Sequence, residues 1–533
     1  MTYRLARPVS EPIARWWFFG ILLLATVFRQ IFFTGYFGSD EVTYTDAAWN
    51  IAHGSWPSSD YIGAIRYGVN LPVAFFLWLF GPSEFAANLW SLLTSVGEVA
   101  LVYLLAQRFW GQQAAIFAAT LLAFTPIHAH IAGKLLADPP LAFFITLSFY
   151  ALWRGDDAGS RPWYLIAGLA AGAVWWVKSS VAIIYLPTFL LFVIWERRVD
   201  SKWFYMAASF SAMLILNSLL FWVIAGDPLH VFHVSTSGMS EYTHNPSLRT
   251  EPEYYLRFLL FDVKHTWLLG PLALIGLVHC FSNSARDTGT IRVCLWAIGL
   301  VALFSLTIVA IDPVRLIPKQ TNYMLIFLAP LALLGGAALN KLQRHLASAL
   351  FGVFILGGVL LTALEQQVIH VFTANSKASF LFAAEHADKP VYAMTNAFRF
   401  GIYQHLLSDN PKTLPDIHDL SKISGELKRT RGSVVDPTEI VAYAIIDTQT
   451  SEWAAGDTIR RIEDRPSCWI PDGTLNPTEF GLGHSIVRRF HAEAMHVPGA
   501  LGDRLRAKTG ELLTPKPAYV FKIPSGCVSI DRV

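Results

Sequence analysis

Two adjacent carboxylates, Asp40 and Glu41, follow the first apolar segment on a short polar loop, and a third, Asp138, stands at the mouth of a later apolar segment. Carboxylates are costly to hold beside hydrocarbon, so acids in such places mark sites before they mark scaffolds. One that is unprotonated at working pH and within reach of a hydroxyl can act as a general base. If both loops open on the same side of a membrane, they line one polar cavity there. From Glu41 to Gly54 the sequence reads as an amphipathic helix with Ser39 or Asp40 near its start, so capping and the helix dipole account for one acid. They do not account for two acids followed by Tyr44. At Asp138 two readings stand together: a cap on the span whose first turn holds Pro139-Pro140, and a site acid.

The matching positive charge is Lys178, which ends one apolar run and precedes another. Snorkelling to the interface is one reading of it. Broken spans tend to line sites, and a lysine in such a break suits an anion such as a phosphate. Arg66 and Arg315 are the best further cations on the same face. His128, His130, His53 and Asp138 lack the spacing of metal ligands, so no cofactor and no metal site is expected. No nucleotide fingerprint and no phosphate-cradling glycine loop is present.

These residues need a membrane scaffold. The chain of 533 residues is 53% hydrophobic and only 15% charged, which excludes an ordinary soluble protein of this length. Its net charge of +2 gives no reason to expect nucleic acid, and its partners are expected in the lipid phase. Apolar stretches run at 16–33, 85–106, 114–127, 139–153, 163–177, 181–195, 203–225, 265–281, 291–311, 322–339 and 348–364, about eleven against a spanning length of roughly 20 residues. Arg4, Arg7 and Arg15 before Trp16 share the order of a signal peptide. Arg29 and Gln30 late in that segment, with no small-residue cleavage site after it, predict a retained anchor.

Orientation follows from Lys and Arg alone. Arg154 with Arg161, Arg197-Arg198 with Lys202, Arg286 with Arg292, and Lys341 with Arg344 fall in every second loop, which makes those loops cytoplasmic. The remaining loops, outside, hold Asp40, Glu41, Asp138, Lys178 and Arg315. Residues 1–374 therefore read as the membrane domain. Residues 375–533, roughly a quarter of them charged, read as a soluble α/β domain on the outer, periplasmic side. Its strands are expected at 390–395, 440–446 and 518–523, with a helix at 397–407. Cys468 and Cys527 are there either a disulfide or two thiols, while Cys280 and Cys294 read as packing residues. Gly172, Gly335-Gly336 and Gly357-Gly358 suit close helix packing.

The loop with Asp40-Glu41, Tyr44 and an Ala-rich helix closing in Gly54 resembles the first outer loop of membrane glycosyltransferases with the GT-C fold. It looks most like the branch holding the protein O-mannosyltransferase-like enzymes and the lipid A aminoarabinose transferases. Asp138-Pro139-Pro140-Leu141, the run Gly168 to Lys178-Ser179, and Tyr323 to Leu334 extend the resemblance over the membrane part. It implies a bacterial inner-membrane enzyme moving a sugar from a polyprenyl phosphate-linked monosaccharide to a lipid or glycan acceptor. Asp40 would be the base, Glu41 would orient it, and Asp138 would help bind acceptor or donor. Lys178, Arg66 and Arg315 would hold the donor phosphate, and Tyr44, Tyr67 and Tyr323 would contact substrate. The stretch Ile65 to Pro72 departs from the Glu-Lys-Pro-Pro of the aminoarabinose enzymes, with Arg66 in place of the lysine, which leaves the sugar open. Protein O-mannosylation is the alternative within the class. A transporter or flippase is disfavoured because these acids lie in loops and no internal repeat is visible.

Overall fold

The computed structural model describes residues 11–196, 201–244, 249–282, 288–312, 314–423, 436, 438–453, 459–477 and 481–529. Arg4, Arg7, Arg197, Arg198, Arg286 and the side chain of Cys280 lie outside the described residues.

The chain falls into two compact units. The first is Met1–Phe33, Ala47–Leu79 and Phe85–Thr362; the second is Thr34–Asp46, Phe80–Glu84 and Ala363–Val533. The helices begin α1 (Glu11–Ile31), α2 (Asp40–Ala52), α3 (Tyr67–Phe80), α4 (Glu84–Trp110), α5 (Gln112–Phe124) and α6 (Pro126–Ala132). They continue α7 (Asp138–Ala158), α8 (Arg161–Tyr185), α9 (Thr188–Glu196), α10 (Trp203–Ala225), α11 (His230–His244), α12 (Tyr254–Phe261) and α13 (Val263–Thr266). After α14 (Leu269–Ser282) and α15 (Thr288–Leu306), an antiparallel hairpin of β1 (Ile308–Ile311) and β2 (Val314–Leu316) leads to α16 (Leu325–Lys341) and the long α17 (Arg344–Glu385).

Among the described residues six helices are long and apolar enough to cross a membrane, and seven if α5 and α6 are one span bent by 62°. Of the other apolar stretches, 16–33 and 139–153 fall on α1 and α7, each of 21 residues, and the rest are shorter helices or parts of broken ones. The stretches 163–177 and 181–195 are α8, interrupted at Lys178, followed by α9. The apolar helix α3 was not among the eleven; Gly68, Asn70 and Pro72 at its start hide it from a hydropathy reading.

Local chemistry sets these breaks. Thr125 precedes Pro126, and a residue before proline is driven out of the helical region, so α5 ends there and α6 starts on the proline. Helix α7 also starts on Pro139-Pro140 and closes at Gly159, whose φ of 58° is the left-handed cap. Small residues then admit close neighbours: a side chain on Gly336 of α16 would strike Ala118 of α5, and one on Gly172 of α8 would strike Met213 of α10.

The second unit carries a mixed five-stranded sheet. Its elements are β3 (Val391–Ala393), α18 (Thr395–Leu406), β4 (Ile417–Asp419), β5 (Ile440–Asp447), β6 (Ile470–Thr474), α19 (Leu482–Ala494), α20 (Gly499–Glu511) and β7 (Ala518–Pro524). The strand order is β4-β3-β5-β7-β6, parallel across the first three strands and antiparallel across the rest. Alternate residues serve opposite faces: Tyr392, Ala444, Ile446 and Phe521 build one core, and Val391, Ala393, Ile445 and Val520 the other. Burial on both faces explains the near-continuous apolar run of β5. Cys468 and Cys527 form a disulfide, with Cα atoms 5.7 Å apart, and Cys294 is a buried free thiol.

Candidate active site

In the first unit the break in α8 places Lys178. Its backbone is extended, φ −158° and ψ 86°, between two helical segments. The side chain turns inward, where Nζ donates a hydrogen bond to Asp138 Oδ1 at 3.2 Å and lies 4.2 Å from the centre of the Tyr323 ring. Asn322 Nδ2 donates to the other oxygen, Asp138 Oδ2, at 3.0 Å. Lys178 and Asp138 are both buried, 5% and 2% exposed, so Lys178 does not snorkel here. A lone buried charge would cost several kcal/mol, and here each side chain meets an oppositely charged or polar partner. Asp138 lies in the first turn of α7, after the N-cap residue Ala137, and its two oxygens meet Lys178 and Asn322, so its carboxylate serves this cluster. Of the residues expected from sequence, Asp138, Lys178 and Tyr323 come together. Asn322 was missed; its signal was a polar residue at the mouth of the apolar run 322–339.

Three further expected residues belong to this unit. Tyr67 is buried, donates its hydroxyl hydrogen to the Pro57 carbonyl at 2.6 Å and stacks on Trp56. Arg66 is half-buried in the turn before α3, its carbonyl accepting from the amides of Val69 and Asn70. Arg315 sits on β2 opposite Ala310.

A second buried polar network joins α1, α4, α6 and α7. Arg29 Nε donates to Ser95 Oγ at 2.9 Å, and an Arg29 terminal nitrogen meets His128 Nδ1 at 2.7 Å. His128 Nε2 lies 3.0 Å from Glu98 Oε2, and Thr146 donates to Glu98 Oε1 at 3.1 Å. A guanidinium has only donors, so His128 Nδ1 must accept and its hydrogen sits on Nε2, pointing at Glu98. Both ring nitrogens are thereby engaged, which removes His128 from any metal site. Among the described residues no group of three or more His, Cys, Asp and Glu is placed to hold a metal ion. Glu98, a lone acid in an apolar stretch, was the sequence signal for this network.

The acidic loop belongs to the second unit. Glu41 is buried, and its carboxylate accepts the backbone amides of Phe37 at 2.7 Å, of Gly38, and of Ser39 at 3.1 Å. It folds the loop back onto the start of α2, a charge-assisted turn rather than a free acid. Asp40 is half-buried and accepts a long hydrogen bond from the hydroxyl of buried Tyr44 at 3.4 Å. The Tyr36 amide donates to Glu84 at 2.9 Å. Burial, with the Glu41 charge beside it, pushes the Tyr36 phenol well above its ordinary range while Arg399 pulls it back, so its hydroxyl stays a donor.

The family model for dolichyl-phosphate-mannose-protein mannosyltransferase matches residues 68–222, a stretch that contains Asp138 and Lys178. An undecaprenyl phosphate-alpha-4-amino-4-deoxy-L-arabinose arabinosyl transferase of Pseudomonas fluorescens is 28% identical over 341 residues, 60% of this chain and 58% of the relative. The chain thus matches over less than two thirds of that relative's length. In three dimensions it is similar to the crystal structure of ArnT from Cupriavidus metallidurans, with a TM-score of 0.56 at 16% identity, over 83% of this chain and 95% of the other. The chain has the GT-C fold. The same ArnT bound to undecaprenyl phosphate matches equally, with a TM-score of 0.56 at 15% identity over 84% of this chain and 95% of the other. Within this GT-C fold the break at Lys178 and the acid at Asp138 lie inside the matched segment. The acidic loop lies before it and Tyr323 after it.

Proposed function

We propose that this protein is a glycosyltransferase that moves a sugar from a polyprenyl phosphate-linked monosaccharide to a lipid or glycan acceptor. The observation that carries this reading is the buried cluster at the break in α8. There Lys178 pairs with Asp138 inside the segment matched by a family named for transfer from a lipid phosphate sugar, and Tyr323, from beyond that segment, covers the lysine. In the reaction the acceptor oxygen attacks the anomeric carbon and the bond from that carbon to the phosphate oxygen breaks. The polyprenyl phosphate leaves with the electron pair, and Asp40 takes the proton of an acceptor hydroxyl. Lys178, with Arg66 and Arg315, offsets the charge that develops on the phosphate. Tyr44, Tyr67 and Tyr323 contact substrate, and Glu41 holds Asp40 in place.

An apolar cavity of about 500 Å³ between α12, α14, α15 and α16, lined by Leu256, Leu274, Val301 and Leu334 among others, suits a prenyl chain. The disulfide between Cys468 and Cys527 supports an oxidising, periplasmic location for residues 375–533 of an inner-membrane protein, and the distribution of Lys and Arg supports a cytoplasmic N-terminus. The relatives' names make aminoarabinose on undecaprenyl phosphate the first donor to try, and lipid A the first acceptor.

The test is transfer in proteoliposomes, read by mass spectrometry of the acceptor. Wild type is expected to add the mass of one sugar, and Asp40→Asn to lose at least about 100-fold in rate. Full activity in Asp40→Asn removes Asp40 as the base. Transfer to a protein but not to lipid A would favour the alternative named by the family description, a protein mannosyltransferase.

A further inference from the structure

Residues 34–46 follow α1 and precede α3 in sequence, yet they belong to the compact unit made mainly of the C-terminal domain. One helix of that domain accounts for this. On α18, Asn396, Arg399, Phe400 and Tyr403 recur at i, i+3, i+4 and i+7 and so form a single stripe. All four meet the acidic loop. Arg399 donates to the Ser39 carbonyl oxygen at 2.8 Å. The Tyr36 hydroxyl donates to the carbonyl oxygen of Asn396 at 2.6 Å and lies 2.9 Å from its Oδ1. The Tyr36 ring meets Phe400 edge-on at 4.8 Å and Tyr403 at 5.4 Å, and these three rings with Val42 make a small core of their own. From α17, Phe372 stacks on Phe37 at 5.0 Å.

The opposite side of α18 packs on the sheet, where Ala397 shares a core with Ile417 and Gly401 lies against Ile417. The loop is shaped to fit. Gly38 has φ +94°, and any side chain there would collide with the Asn396 amide. The carbonyl that Arg399 holds belongs to the peptide bond that begins Asp40, so Arg399 sets the plane from which the Asp40 side chain projects.

We propose that the C-terminal domain clamps the acidic loop through the α18 stripe, and that Arg399 is a positioning residue for Asp40. The consequence for catalysis rests on the glycosyltransfer reading; the clamp itself does not. The stripe holds the loop by the charged hydrogen bond of Arg399, the Tyr36 hydroxyl's bond to Asn396 and an aromatic core, so loosening it frees Asp40 without removing any group that touches substrate.

The experiment compares full-length wild type with Arg399→Ala, Arg399→Lys and Gly38→Ala in nanodiscs, by hydrogen exchange and by transfer of aminoarabinose from undecaprenyl phosphate to lipid A. In Arg399→Ala the amides of residues 37–41 are expected to exchange at least about tenfold faster while those of β5 and β7 keep their protection. The kcat should fall at least about tenfold with the donor KM unchanged, because a misplaced base weakens the chemical step and not donor binding. Arg399→Lys should recover part of both, and Gly38→Ala, which pushes from the loop side, should reproduce the loosening. Unchanged exchange of 37–41 in both Arg399→Ala and Gly38→Ala overturns the clamp. A loosened loop with unchanged kcat overturns the positioning role of Arg399. If wild type transfers nothing from this donor, aminoarabinose is not the sugar that the protein moves, and the exchange data alone decide the clamp.

Discussion

Asp138 and Glu41 are the same kind of group in two units, and they are kept buried by different means. Asp138 is neutralised from a distance in sequence: Lys178, 40 residues on, and Asn322, 184 residues on, reach its two oxygens. Glu41 is satisfied by backbone amides two to four residues before it. The first arrangement stands or falls with the packing of helices, while the second is a local turn that needs only its loop to be held. Asp40 differs from both. It is half-buried, and the hydroxyl of Tyr44 donates to it at 3.4 Å.

That contrast predicts where substitutions separate activity from stability. The largest effect is expected at Asp40. Asp40→Asn should cost about 100-fold to 10,000-fold in transfer rate with little change in thermal unfolding, since the substitution keeps the shape of a half-buried side chain and removes only its basic oxygen. Equal losses of rate and stability would place Asp40 with the structural acids instead.

Next, Lys178→Met strands the Asp138 charge in a buried site and should destabilise the protein by about 3–5 kcal/mol, measured by unfolding in detergent. Lys178→Met combined with Asp138→Leu should recover most of that stability while transfer stays absent. Failure of the double variant to recover would show that the pair is not a self-contained unit. Glu41→Ala should cost less, about 1–3 kcal/mol, because it leaves amides unsatisfied but no charge unpaired. Its signature is faster exchange at residues 37–39, and unchanged exchange there would deny Glu41 its turn.

The smallest effect concerns Lys319, a buried lysine of the first unit that meets carbonyls instead of a carboxylate, those of Phe304 at 2.8 Å and Ser305 at 2.9 Å. Burial lowers it from 10.5 to about 8, with Glu251 opposing the shift. Its folded value lies below its unfolded one, so folding favours the neutral amine. That contribution is complete above the unfolded value and is lost as pH falls through about 8. The thermal midpoint of wild type should therefore rise from pH 7 to pH 9.5 more than that of Lys319→Met does. Parallel curves for the two proteins would mean that Lys319 does not sense its burial.

Much of this was legible without coordinates, and for physical reasons. Apolar runs marked most of the helices, and short apolar runs between turn residues marked β5 and β7, because those patterns answer directly to lipid and to a sheet buried on both faces. Asp138 and Lys178 stood out because charges beside hydrocarbon are rare. What stayed hidden were polar partners with no cost of their own to advertise. Asn322 is unremarkable until Asp138 needs a second donor, and Arg399 looks like any surface arginine on a helix of a soluble domain. Helix α3 escaped because Gly68, Asn70 and Pro72 dilute its apolar run.

By itself, then, the sequence determined a membrane-spanning helical chain, an α/β domain after it, and the acids and the lysine able to do chemistry, since each of these follows from local composition and period. Only the tertiary structure decided that Lys178 pairs with Asp138, that Glu41 is spent on its own loop, that Cys468 and Cys527 are bonded, and that residues 34–46 fold with α18. Those outcomes join positions between two and several hundred residues apart, and which groups meet depends on helix packing and loop geometry that no local pattern encodes.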